Sequence, residues 1–162
     1  MLSPRSMQDV VVDRARVIAP PPLIYLAMLG VGLMLEWLCP TRLLSRVLAQ
    51  GVGVVLFVFG VIGLTVAIRT VLRAQTPVNP YKPVTTLVTN GLYRFSRNPI
   101  YVSDTIIYLG LAIGLNAWWA VALTPILIWI VQIGVIAREE GYLEKKFGNE
   151  YARYKQQVRR WI

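Results

Sequence analysis

LAQGVGVVLFVFGVIGLTVAI, residues 48–68, runs for 21 positions without a charged side chain. A helix of about 20 apolar residues crosses the hydrocarbon of a bilayer, so this run predicts a spanning helix. Its glycines, Gly51, Gly53, Gly60 and Gly63, suit close approach to a neighbouring helix. Working outward, a second apolar run opens with Pro20, Pro21 and Pro22 and predicts a helix over 22–38. Proline is tolerated there because the first N–H groups of a helix have no partner inside it. Pro40 ends that helix. On the other side, residues 99–115 predict a third helix that Asn116 breaks, and residues 118–137 a fourth, with Trp118 and Trp119 at a membrane–water interface. The four runs take up about half of the 162 residues.

The composition agrees. The chain is 56% hydrophobic and 15% charged, with a mean hydropathy of +0.54. A soluble globule has about a quarter of its residues charged, and a disordered chain is poorer in apolar residues. The expected fold class is therefore all-α: an integral-membrane helical bundle of about four transmembrane helices. A cytosolic connector over 69–98 and a C-terminal amphipathic helix over 138–160 complete a single domain, 1–162. In the last segment Leu143, Phe147, Tyr151, Tyr154 and Val158 recur at spacings of three and four, an apolar helical stripe suited to a membrane surface.

Charge sets the orientation. There are 17 Lys and Arg against 8 Asp and Glu. With a cytosolic N-terminus, Arg5, Arg14 and Arg16, the five basic residues of the connector and the seven of the C-terminal segment all lie in the cytosol. Only Arg42 and Arg46 fall on the far side. A 15-to-2 division is a strong positive-inside signal. The expected location is a bacterial inner membrane with both termini cytosolic. Nucleic acid is not an expected partner, since an apolar bundle offers no basic groove lined with stacking aromatics. The chain has no histidine and a single cysteine, Cys39. That excludes Ser-His-Asp and Cys-His catalysis, zinc hydrolysis and an intramolecular disulfide; no metal is expected.

Two polar clusters then meet on the cytosolic side. The connector carries Pro77, Pro80 and Pro83, which forbid a regular helix, and interleaved Leu87, Val88, Leu92, Tyr93 and Phe95. Ordered segments of that length are usually functional. Its end, Arg97-Asn98-Pro99, opens the third helix, whose free N–H groups suit a carboxylate or phosphate. The second cluster is Arg138-Glu139-Glu140, where the fourth helix leaves the membrane. Asp104 lies one turn inside the third helix, and an ionisable group there is a functional candidate as well as a favourable partner for the helix N-terminus. Glu36 reads as interfacial and structural.

The order Leu87-Val88-Thr89, Gly91, Tyr93, then Arg97-Asn98-Pro99-Ile100-Tyr101, an apolar hairpin, Glu139-Glu140, and Phe147-Gly148 followed by Tyr151 and Tyr154 resembles the isoprenylcysteine carboxyl methyltransferase family and its phospholipid methyltransferase relatives. The resemblance spans about 76–162. It implies an integral-membrane enzyme using S-adenosylmethionine and a lipophilic acceptor from the bilayer, either an isoprenylcysteine-like carboxylate or a lipid amine or hydroxyl. It further implies a cofactor pocket lined by Thr85, Thr86, Leu87, Val88, Tyr93, Asn98, Pro99, Ile100, Tyr101 and Glu139. The cofactor's sulfonium and ammonium suit a carboxylate and aromatic faces; its carboxylate suits Arg97 or a helix N-terminus. The residue types in the site assign Arg138 to orient a carboxylate acceptor and Glu140 as base for an amine or hydroxyl. Asn98 stands where the family has histidine, and Val135 where its eukaryotic members have an arginine for the substrate. The competing readings are a non-catalytic membrane scaffold of the same fold and a membrane reductase. The second lacks a dinucleotide fingerprint.

Overall fold

The computed structural model describes residues 17–41, 43–79 and 81–162. Arg5, Arg14, Arg16, Arg42 and Pro80 of the sequence reading lie outside the described residues. Within them the chain is helical and has no strand.

α1 spans Pro21–Leu38 and α2 spans Arg46–Arg73. Both are long and apolar enough to cross a membrane. α1 starts on its prolines as predicted, one residue early. α2 is longer than predicted at both ends. Ser45 caps its start, accepting the Leu48 N–H. At ~1.5 Å per residue its 28 residues reach ~42 Å, more than the ~30 Å of hydrocarbon. Arg46 and Arg73 therefore project at opposite ends.

The buried residues of α2 are Ala49, Gly53, Gly60, Ala67 and Val71. All but the last are very small. The outer face carries exposed Val54, Val55, Phe57, Phe59, Ile62 and Val66, which lipid rather than water would cover. The small stripe packs on α3, Pro99–Gly114. A Cβ added to Gly53 would lie 2.4 Å from Gly114 Cα, and one on Gly60 2.7 Å from the Ile107 side chain. The glycines expected to allow close packing thus do so within the chain, except Gly51, which faces open space.

α3 is apolar but shorter than α1 and α2. Asn116 ends its hairpin in the left-handed region (φ +57°), which Asn tolerates better than most residues. The predicted helix over 118–137 is not continuous. It divides into α4 (Trp118–Ala122), α5 (Thr124–Val131) and a π-helical turn (Gln132–Ile136). Pro125, in the first turn of α5, has no N–H to carry a regular helix through from α4. The C-terminal helix also divides, into α6 (Ala137–Phe147) and α7 (Asn149–Gln157). Gly148 separates them with φ +50°, a backbone that glycine adopts at little cost.

The core lies where α1, α3, α4 and α5 meet. Leu127, Val131, Val135 and Ile136 are fully buried in it. Tyr25 and Tyr108 pack edge to face at 6.2 Å. Each hydroxyl bonds a carbonyl across helices: Tyr25 donates to Tyr101 O at 3.1 Å and Tyr108 to Ala120 O at 2.8 Å. Buried hydroxyls need such partners.

Candidate functional site

The connector is ordered by side chains rather than by a helix. After α2, buried Thr76 accepts the Thr85 N–H at 2.9 Å, and the Thr85 hydroxyl donates to Gln75 O at 2.9 Å. The Val84 N–H donates to the Tyr142 hydroxyl at 3.2 Å. A short 3₁₀ turn, Gly91–Arg94, follows, and the Tyr154 hydroxyl of α7 donates to Tyr93 O at 2.7 Å. The prolines leave backbone N–H groups missing and carbonyls spare, and these contacts tie the loop onto α6 and α7 instead.

Between connector, α3, α6 and α7 lies a cavity of about 150 Å³ that opens to the surface. Of the residues that the sequence assigns to the cofactor, Thr86, Leu87, Val88, Tyr93, Asn98, Ile100, Tyr101 and Glu139 line it. Thr85 and Pro99 do not; Thr85 braces the loop, and Pro99 is buried at the first turn of α3. The sequence reading did not foresee Tyr151 or Tyr154 in the wall. Their part in an apolar stripe concealed that the stripe turns inward.

Glu139 is the acid of the cavity. The Tyr101 hydroxyl donates to its Oε1 at 2.7 Å. Burial pushes its carboxyl up to about 7; the Tyr101 bond works against this and the neighbouring Glu140 adds to it. The group therefore changes charge near neutral pH. Burial also pushes the Tyr93 hydroxyl above its ordinary range, with Tyr154 and Glu139 adding to the effect.

Glu140 is buried and doubly paired. Arg160 donates to it through Nε at 3.1 Å and Nη2 at 2.6 Å. Arg97 Nη1 lies 3.0 Å from Oε1. Both oxygens of the carboxylate expected to act as a base are thus engaged by guanidinium groups. Arg138 is the residue expected to orient a carboxylate acceptor. It is exposed and lies outside the cavity lining. The cation in the wall is Arg97, whose side chain is 8% exposed. Its Nε and Nη1 are buried without a hydrogen bond, so the contact with Glu140 is an ion pair of poor alignment. Such orphaned buried donors are rare and costly.

Asp104 is half-buried on α3 and does not line the cavity. Glu36, at the other end of the molecule, accepts from both the backbone N–H and the hydroxyl of Thr41.

Comparison with known proteins bears on the same segment. The family model described as phospholipid methyltransferase matches residues 48–150. An uncharacterised protein of Haemophilus influenzae is 52% identical over 62 residues, 34% of this chain and 98% of that protein. A protein-S-isoprenylcysteine O-methyltransferase of Schizosaccharomyces pombe is 35% identical over 72 residues, 44% of this chain and 30% of the yeast enzyme. The chain thus matches less than a third of that enzyme's length.

Proposed function

Because the chain belongs to the phospholipid methyltransferase family, we propose that it is a membrane methyltransferase that takes S-adenosylmethionine from the cytosol and a lipophilic acceptor from the bilayer. The observation that carries this reading is the pairing of opposite charges across one cavity. Glu139 stands on one side, held by Tyr101; Arg97 stands on another with donors unused. S-adenosylmethionine has a matching pattern, cationic at sulfonium and ammonium and anionic at its carboxylate. The residues present therefore fit it: Glu139 for the cationic part, Arg97 for the carboxylate, and Tyr93, Tyr101 and Tyr151 as aromatic walls. When bound, the cofactor supplies an electrophilic methyl group.

The chain's own contribution is positioning and water exclusion, which serve an in-line displacement well. Leu87, Val88, Ile100 and Leu143 give the wall its apolar part. An amine or hydroxyl acceptor must lose a proton as it is methylated. A carboxylate acceptor requires no base. In this reading α1, α2, α3 and the α4–α5 segment are the four spans, and the cavity faces the cytosol, the side where positive residues gather.

The test is calorimetric titration of the detergent-purified protein with S-adenosylmethionine, with Glu139→Ala beside it. Binding by the parent and loss in the variant are expected. A folded parent that binds nothing would leave a non-catalytic scaffold of the same fold.

A further inference from the structure

The last residues of the chain do not trail into solvent. Beyond α7, Val158 is extended (φ −124°, ψ 132°), and the segment returns across the cavity wall. Arg159 O accepts the Arg97 N–H at 2.9 Å. Arg160 O accepts from Asn98 Nδ2 at 3.0 Å and from the Ser96 hydroxyl at 3.4 Å. Trp161 Nε1 donates to Gln132 Oε1 at 2.9 Å, in the π-helical turn ahead of Glu139. Two residues in the wall, Arg97 and Asn98, are held by this strap, and its Arg160 side chain holds a third, Glu140.

We propose that Arg160 is a positioning residue: by occupying Glu140 in a two-pronged grip, it leaves the Arg97 guanidinium free to hold the carboxylate of the cofactor. The inference rests on the methyltransferase reading. Its argument is one of competition. A carboxylate and a guanidinium favour a bidentate pair. Arg97 and Arg160 both reach Glu140, and only Arg160 meets it with two well-formed bonds. Arg97 is left with a misaligned contact to Glu140 and with Tyr151 beside it, and its Nε and Nη1 stay unbonded in a wall where its side chain is 8% exposed. Two guanidiniums on one carboxylate also leave a positive charge uncompensated among these three groups. A buried donor without an acceptor, carrying surplus charge and lining a cavity, calls for an anion. Without Arg160, Arg97 could take both oxygens of Glu140 and turn away.

The experiment compares two ligands by calorimetry: S-adenosylhomocysteine, and the same molecule with its carboxyl group removed. The parent is expected to prefer the first by about ten- to hundred-fold, the worth of a charge-assisted hydrogen bond. In Arg97→Gln the preference should fall towards unity. In Arg160→Gln it should fall by at least about threefold, and Arg160→Lys, which keeps the charge but not the fork, should lie between. Arg159→Gln, altering an exposed strap side chain, should keep the parental preference, and thermal unfolding of each variant reports whether it is folded. A strap with only a structural role would weaken both ligands equally; an unchanged ratio in Arg160→Gln overturns the inference. Equal binding of the two ligands by the parent also overturns it while the methyltransferase reading survives. Binding of neither by a folded parent removes that reading itself.

Discussion

The two ends of the bundle hold similar groups in opposite states. At the far end from the cavity, Asn116 donates to Leu44 O at 2.7 Å and accepts from Trp118 Nε1 at 2.7 Å, while Trp119 Nε1 donates to Cys39 O at 2.8 Å. Glu36 is met by Thr41. At the cavity end, Arg97 keeps unbonded donors and Glu139 keeps a proton affinity raised to about 7. Both ends must close helix termini at a membrane surface, so the chemistry of closure does not explain the difference. One end has spent its polar groups on structure. The other, in the function proposed above, holds some in reserve for a ligand.

The sharpest way to break that contrast is to remove one carboxylate from each end. Glu139→Ala should weaken S-adenosylmethionine binding by about a hundredfold or more, the order expected for a buried charge losing its counter-charge. Glu36→Ala should leave it within about twofold, both read by calorimetry. Similar losses in the two variants would mean that the cavity senses global stability and not a local charge.

A second comparison exchanges affinity for stability. Asn116→Ala should lower unfolding stability by about 1–3 kcal/mol, because it strips an acceptor from Trp118 and a donor from Leu44 and puts Ala in a left-handed backbone. Gly53→Ala should cost a similar ~1–3 kcal/mol, since its Cβ would meet backbone of Gly114. Neither should change the ratio of ligand affinities. Denaturation in detergent checks both.

Glu139 also makes the cavity end sensitive to pH. Its folded carboxyl is raised to about 7 from an ordinary value of 4.5. Its contribution to stability is therefore full below about pH 4.5 and is lost as pH rises through 7. Ligand binding runs the other way, because a cationic ligand selects the ionised form. Affinity should rise about tenfold from pH 6 to pH 8, with proton release seen as a buffer-dependent heat. Glu139→Gln should flatten the profile. A slope that persists in that variant would assign the titration to another group.

How much of this was legible in the sequence follows from where the signals are local. Pro20 to Pro22, Pro40, Pro99 and Asn116 each act on the next few residues, and the helix ends they imply agree with the structure to within a residue or two. The connector residues in the cavity came through the motif resemblance. Four things were not legible. An all-apolar run carries no helical phase, so the break at Pro125 and the π-helical turn at 132–136 left no periodic trace. A π-helical turn takes an extra residue, so which of Arg138, Glu139 and Glu140 faces the cavity cannot be read from spacing. Gly148 was hidden because Leu143, Phe147, Tyr151 and Tyr154 keep their spacing across it. The pairing of Glu140 with Arg160 is tertiary, made by a strap that folds back over twenty residues.

The smallest expected effect tests what lies between the two ends. Gly51 and Gly53 are two residues apart on α2, but a Cβ on Gly51 would touch nothing within 4 Å. If the bundle is held by close approach along the stripe of Gly53 and Gly60, then Gly51 is merely a weak helix former on the outer face. Gly51→Ala should then stabilise the fold by up to about 1 kcal/mol, the ordinary gain from glycine to alanine in a helix. It should leave ligand affinity and its pH profile as they were. A loss of stability would mean that Gly51 is covered by something outside a single chain, and α2 would then have two packed faces instead of one. Concentration-dependent unfolding of the parent, abolished in the variant, would identify that cover as a second copy.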